Sequence, residues 1–198
     1  MLSIDKNVKK SLQRNSFLSC SKDMQTIIRR LFVESKPYSD DLKKLLVLNQ
    51  EDCLTSNNPQ YRKVIEDYSV KKLLDEGYVR IVPKLPLAEH NQMQSYIIIE
   101  FDDFMPNSNP EFRDCYISFT VICNLDAWKM DDYTLRPHTI CGYIDGILND
   151  SKLSGIGRLQ FMGASEVVLD ERMAGILLRY QATHSSDDYI KGTNAGDQ

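Results

Sequence analysis

The sequence predicts an α+β protein: a mainly antiparallel sheet of about four to five strands packed with helices, preceded by an N-terminal helical extension. Three observations predict it. Between residues 78 and 184, several runs alternate apolar and polar side chains, the period-two signature of strands with one buried face. Within that block, the segment after Arg136 switches to the helical period, with Ile140, Tyr143, Ile144, Ile147 and Leu148 on one stripe. Upstream, residues 21–76 show only helical periodicity. The order in the block is strand, strand, strand, helix, strand, strand.

The first helix is predicted from Met24, Ile27, Ile28, Leu31 and Phe32. Ser21 reads as its N-cap, because a serine hydroxyl can accept from an orphan amide. Lys36-Pro37 ends it, since the residue before proline disfavours helical backbone. Ser39 starts a second helix, with Asp40 and Asp41 where carboxylates complement the positive helix start and Leu42, Leu45 and Leu46 as the buried stripe. Residues 51–60, with Thr55, Ser56, Asn57, Asn58 and Pro59, read as a loop. One longer helix is predicted over 61–76, with Val64, Ile65 and Tyr68 on one face and Gly77 as the C-cap.

The first strand is predicted over 78–82; Pro83 and Pro86 after it suit a sheet edge. The second, 95–101, contains three consecutive isoleucines. Residues 102–114, carrying Asp102, Asp103, Pro106, Asn107, Asn109 and Pro110, read as a long surface loop that touches a partner. In the third strand, Cys115, Ile117, Phe119, Val121, Cys123 and Leu125 form a core face. Tyr116, Ser118, Thr120, Ile122, Asn124 and Asp126 form a mostly polar, exposed one. Residues 128–133 read as a turn region. Strand four is predicted over 157–163 and strand five over 173–184, with Ala174, Ile176, Leu178, Tyr180 and Ala182 facing the core. The predicted organisation is therefore a helical extension (1–76), an α/β domain (77–184) and a mobile tail (185–198).

Composition sets limits. A chain of 198 residues with 42% hydrophobic and 26% charged content can bury a core. No run approaches the roughly 20 apolar residues of a membrane-spanning helix, and no secretory signal is evident, so the expectation is a protein made without export. The net charge of -4 does not suit a general nucleic-acid binder. The N-terminal end is locally basic, with Lys6, Lys9, Lys10, Arg14, Lys22, Arg29, Arg30 and Lys36 against Asp5, Asp23 and Glu34. The five cysteines, Cys20, Cys53, Cys115, Cys123 and Cys141, form no C-x-x-C pair and read as reduced thiols.

Neighbouring aspartates on a strand point to opposite faces, so Asp102-Asp103 is a poor chelate. Glu100 and Asp102 share a face, but no lysine follows at the spacing a metal-dependent nuclease of the Asp…Glu-x-Lys type needs. His90, His138 and His184 are far apart and read as solvated or capping residues. Gly155-Ile156-Gly157 lies before a strand, whereas a phosphate cradle needs strand, loop, then helix; it reads as a turn. No G-x-S-x-G elbow surrounds a serine. The aromatic residues Tyr96, Tyr116, Phe119, Phe161 and Tyr180 have almost no basic neighbours besides Arg158 and Arg179, so they read as packing and not as a base-stacking platform. The expectation is no catalytic, cofactor or metal site. A binding or assembly role remains, with Asp102, Asp103, Pro106, Asn107, Pro110, Arg113 and Trp128 as the candidate subunit or partner interface.

The block resembles the tail-terminator and tail-completion (head–tail joining) proteins of long-tailed bacteriophages. The likeness is carried by Tyr78-Val79-Arg80-Ile81-Val82-Pro83, residues 95–101 and 116–123, Arg136-Pro137 through Leu148, Gly155-Ile156-Gly157-Arg158-Leu159, and residues 175–182. It is a likeness of element order and hydrophobic pattern. It implies a homo-oligomeric ring, commonly a hexamer, in the virion neck, assembled in the host cytoplasm. Such a ring terminates the tail tube and joins it to the head connector. Its partners are copies of itself and the tail-tube and connector proteins; DNA crosses the lumen without specific binding, and no membrane or cofactor is involved. The alternatives are another connector or tail-ring subunit, or a metal-dependent nuclease. The N-terminal extension is longer than that family's short members carry, and its basic charge suits an acidic connector.

Overall fold

A chain that alternates apolar and polar side chains over a dozen residues has to put one whole face into a core, and two such segments dominate this molecule. In the computed structural model, which describes residues 20–81, 95–108 and 112–185, strands β3 (Phe112–Asn124) and β7 (Met173–Ser185) pair antiparallel along their full length. Around them lie β1 (Val79–Arg80), β2 (Ser95–Pro106) and β6 (Gln160–Val168), giving a five-stranded sheet in the order β1-β2-β3-β7-β6. All pairings are antiparallel except β1 with β2. A separate ribbon pairs β4 (Lys152–Leu153) with β5 (Gly157–Arg158).

The helices are α1 (Cys20–Arg29), which runs on into a wider π-helical turn (Arg30–Glu34), α2 (Tyr38–Val47), α3 (Pro59–Asp67), α4 (Val70–Asp75) and α5 (Arg136–Leu148). They cover one face of the sheet. One core cluster runs from Ile27, Leu31 and Phe32 through Leu42, Leu45 and Leu46 to Ile97, Ile99, Ile117, Phe119, Val121, Ile176, Leu178 and Tyr180. At about 1.5–3 kcal/mol for each fully buried large apolar side chain, this shared core is the main cohesion between helices and sheet. None of the helices among the described residues is long and apolar enough to cross a membrane.

Several elements differ from the sequence expectation, each for a local reason. Ser21 lies inside α1 and is not its N-cap. The single helix over 61–76 is two, because Ser69 adopts extended backbone and its hydroxyl accepts from the Lys72 amide at 3.3 Å, capping α4. Asn58 caps α3 in the same way, accepting from the Gln60 amide at 3.0 Å. Strand one shortens to two residues, with Val82 and both following prolines outside the described residues.

The expected surface loop at 102–114 is instead mostly hairpin. β2 continues to Pro106 and β3 begins at Phe112, with Met105 opposite Asp114 and Pro106 opposite Arg113. A bulge between Asp102 and Met105, with Asp103 at φ 48°, absorbs the residues that suggested a loop. Strand four is likewise interrupted after Arg158, then runs five residues beyond the expected Gly163 to Val168.

The back of the sheet is also less polar than expected. Tyr96, Ile98, Ile122 and Met173 form a second small buried cluster there, and Ser118 is buried beside Asp102. Leu125, expected in the core, sits in a short 3₁₀ turn (Leu125–Ala127) and is 44% exposed. The Gly155–Gly157 turn is there as expected: both glycines have positive φ and join β4 to β5. The locally basic first nineteen residues, His90 and the C-terminal tail lie outside the described residues.

Candidate assembly surface

β6 closes one side of the sheet. Its inner edge pairs with β7, and among the described residues no strand pairs with its outer edge. All nine residues are half or fully exposed. Phe161 (44% exposed), Met162 (51%) and Val168 (75%) are apolar, and Leu169 follows them. Natural edge strands are blunted by lysines, prolines, strong bulges or covering elements. β6 has a single charged residue, Glu166, no proline, and one irregularity between Phe161 and Gly163. It is anchored from beneath: Tyr180, fully buried, meets Phe161 and Phe119 edge-on, each at 5.7 Å between ring centres. The Tyr180 hydroxyl donates to Asp145 of α5 at 2.8 Å, and burial pushes its pKa upward, so the phenol stays neutral.

At the other edge of the sheet, among the described residues, β1 pairs with Ile97 and Ile98 of β2 and no further. Beyond them lies an open groove of about 810 Å³ between α1, α4 and the sheet edge. Met24 and Ile28 of α1, Leu74 of α4, and Ile81 and Phe101 supply an apolar floor, and Arg29 stands at the rim.

The seven residues singled out as an interface separate into two groups and one absentee. Asp102, Asp103, Pro106, Asn107 and Arg113 come together at the distal end of the β2–β3 hairpin. Asn107 donates to both carboxylate oxygens of Asp114, at 3.0 and 3.1 Å, and Thr183 donates to the same carboxylate at 2.9 Å. Trp128 follows the opposite end of β3, where its indole N–H donates to the Cys123 carbonyl at 3.2 Å. Pro110 lies outside the described residues.

Glu100 and Asp102 do share the back face. Partial burial, and then the neighbouring Asp102 charge, raise the Glu100 pKa above the usual carboxylate range. Ser118 donates its hydroxyl to Asp102. No group of three or more His, Cys, Asp or Glu side chains is placed to hold a metal ion among the described residues. His138 is exposed in the first turn of α5.

All five cysteines are free thiols. Burial raises the Cys115 and Cys141 pKa to about 12 and that of Cys123 to about 11, so these three are protonated at neutral pH and poor nucleophiles.

Sequence reading missed Arg136, seen only as the opening of a helix. Its side chain is fully buried. Nε donates to the Ala127 carbonyl (2.7 Å), Nη1 to Leu45 (2.9 Å) and Leu48 (2.6 Å), and Nη2 to Gln50 (2.7 Å). The Leu45 and Leu48 carbonyls lie at the C-terminal end of α2, where unpaired carbonyls and the helix dipole favour a cation. Arg136 thus ties α2 and the following turn to α5 without a carboxylate partner. The signal available was an arginine immediately before Pro137 and an apolar stripe, a position with no evident solvent-facing role.

The family model YomW matches residues 39–182 of the chain. No curated protein matches it. Among solved structures, a chain of the virion of a native gene transfer agent particle is similar, at 18% identity, covering 63% of this chain and 90% of that one with a TM-score of 0.39.

Proposed function

The chain belongs to the YomW family, and from that premise we propose that it is a structural protein of a bacteriophage virion, acting by assembly and not by catalysis. Its subunits form a ring in the neck that terminates the tail tube and joins it to the head connector. The observation that carries this reading is the outer edge of β6: nine residues that are half or fully exposed, including Phe161, Met162 and Val168, on a strand with a single charge. In a lone molecule such an edge is an aggregation hazard. Covered by a neighbour, it is an interface core.

The resemblance in element order to head–tail joining proteins supports the neck position, and the net charge of -4 suits a lumen that lets DNA pass without gripping it. The hairpin end bearing Asp102, Asp103, Pro106, Asn107 and Arg113 is then a rim surface for the tail tube or connector. Light scattering on the purified protein, with electron microscopy of the same sample, tests the proposal. Ring-shaped particles of one size are expected. A monomer at every concentration that cleaves DNA with magnesium would overturn it in favour of the nuclease reading.

A further inference from the structure

Among the described residues, the sheet has two unlike sides with unpaired strand edge. On one side is the β6 edge, apolar and outward-facing. On the other is β2 beyond Ile98, next to a groove with an apolar floor. Resting on the ring reading above, we infer that these two sides are the two halves of one contact: residues 165–168 of β6 in one copy lie beside residues 99–102 of β2 in the next, and the occupant of the groove is a second copy of this chain.

Three features of the chain fit the two halves together. The first is direction. β2, β3, β7 and β6 are each antiparallel to the next. β6 therefore runs opposite to β2, and a neighbour that keeps the same strand direction meets β2 in the antiparallel sense, which gives perpendicular, closely paired hydrogen bonds.

The second is apolar fit. A strand added beside β2 turns alternate side chains toward the helices, where Met24, Ile28, Leu74 and Phe101 line the groove. Ile81 at its edge is 47% exposed and Val168 of β6 is 75% exposed, so each has area to lose to the other.

The third is charge. Glu166 stands opposite Ile176 in the β6–β7 register, on the helix-covered side of the sheet. It is exposed and has no ion pair among the described residues. Among the described residues, Arg29 at the groove rim pairs with Glu34, 3.3 Å away, with both side chains partly solvated. An exposed pair of that kind is readily exchanged, so Arg29 is available to an incoming Glu166. Because the two sides differ, the contact is head-to-tail, the kind that closes into a ring.

The test is a charge swap read by light scattering and sedimentation across a concentration series. Glu166→Lys and Arg29→Glu are each expected to weaken self-association by roughly tenfold, and the double variant E166K/R29E to regain most of it. Each single variant should keep the wild-type unfolding midpoint, which excludes misfolding as the cause. If the single variants assemble like wild type, or the double variant fails to recover while the wild type still forms rings, this pairing of edges is wrong and the ring reading survives. If the wild type never associates, both fall together.

Discussion

The Arg136 socket and the β6 edge handle polar backbone in opposite ways. In the socket, a charged group with no solvent contact gives its hydrogen bonds to carbonyls from two separate stretches of chain. At β6, a strand with no buried residue of its own presents a row of backbone groups that no strand among the described residues pairs. The first arrangement has meaning inside one subunit: remove any part and buried groups are orphaned. Among the described residues nothing pairs with the second, and under the proposed assembly it gains its meaning between subunits. Under the proposed assembly, the difference separates residues that make the subunit from residues that make the contact between subunits.

The comparison is broken most forcefully at the socket. Arg136→Met removes the charge but leaves the carbonyls of Leu45, Leu48, Gln50 and Ala127 without their donor, and about 3–5 kcal/mol of stability should go with it; chemical denaturation measures this. Lysine at 136 should rescue only part, because its single nitrogen cannot span the same fork. Next in size is Gly175, near the start of β7. A Cβ there would collide with the Val121 carbonyl of β3. Gly175→Ala should cost about 1–3 kcal/mol as strands are forced apart, again read from the denaturation midpoint.

A smaller and pH-dependent effect is expected at Glu100. Its folded-state pKa is raised by burial and by Asp102. A carboxyl with a raised folded pKa stabilises the fold fully below its unfolded pKa, and that contribution disappears as pH rises through the folded value. Glu100→Gln should therefore raise the melting temperature relative to wild type at pH 7, with the gain shrinking toward pH 4. An equal gain at both pH values would show that the charge is not the cause.

The sheet was legible in the sequence wherever one face is wholly apolar. β3 and β7 declare themselves because every second residue from Cys115 to Cys123 and from Ala174 to Ala182 is apolar and buried, and α5 because its stripe keeps the 3.6-residue period. Failures fell where local chemistry competes with pattern. Asp102, Asp103 and Pro106 have the composition of a loop, yet they follow β2 into a hairpin because β3 supplies partners across a bulge. Ser69 broke a helix that periodicity alone would join.

The candidate interface was legible only in part. The hairpin residues cluster as their sequence neighbourhood suggests, while Trp128 is carried to the far end of β3. Arg136 was invisible, since its partners lie up to 91 residues away and are backbone groups, which carry no residue signature. The β6 edge was read short at Gly163. Its exposed half has no core face to give it a period.

The smallest expected effect on stability belongs to β6, and it carries the central claim. Val168→Asp adds a charge to a side chain that is 75% exposed, so the unfolding free energy should change by no more than about 0.5 kcal/mol. The decisive measurement is the molar mass of wild type and this variant by light scattering over the same concentration range. The account predicts a ring-sized wild type and a well-folded variant shifted to the monomer. A variant that assembles as fully as wild type would contradict it.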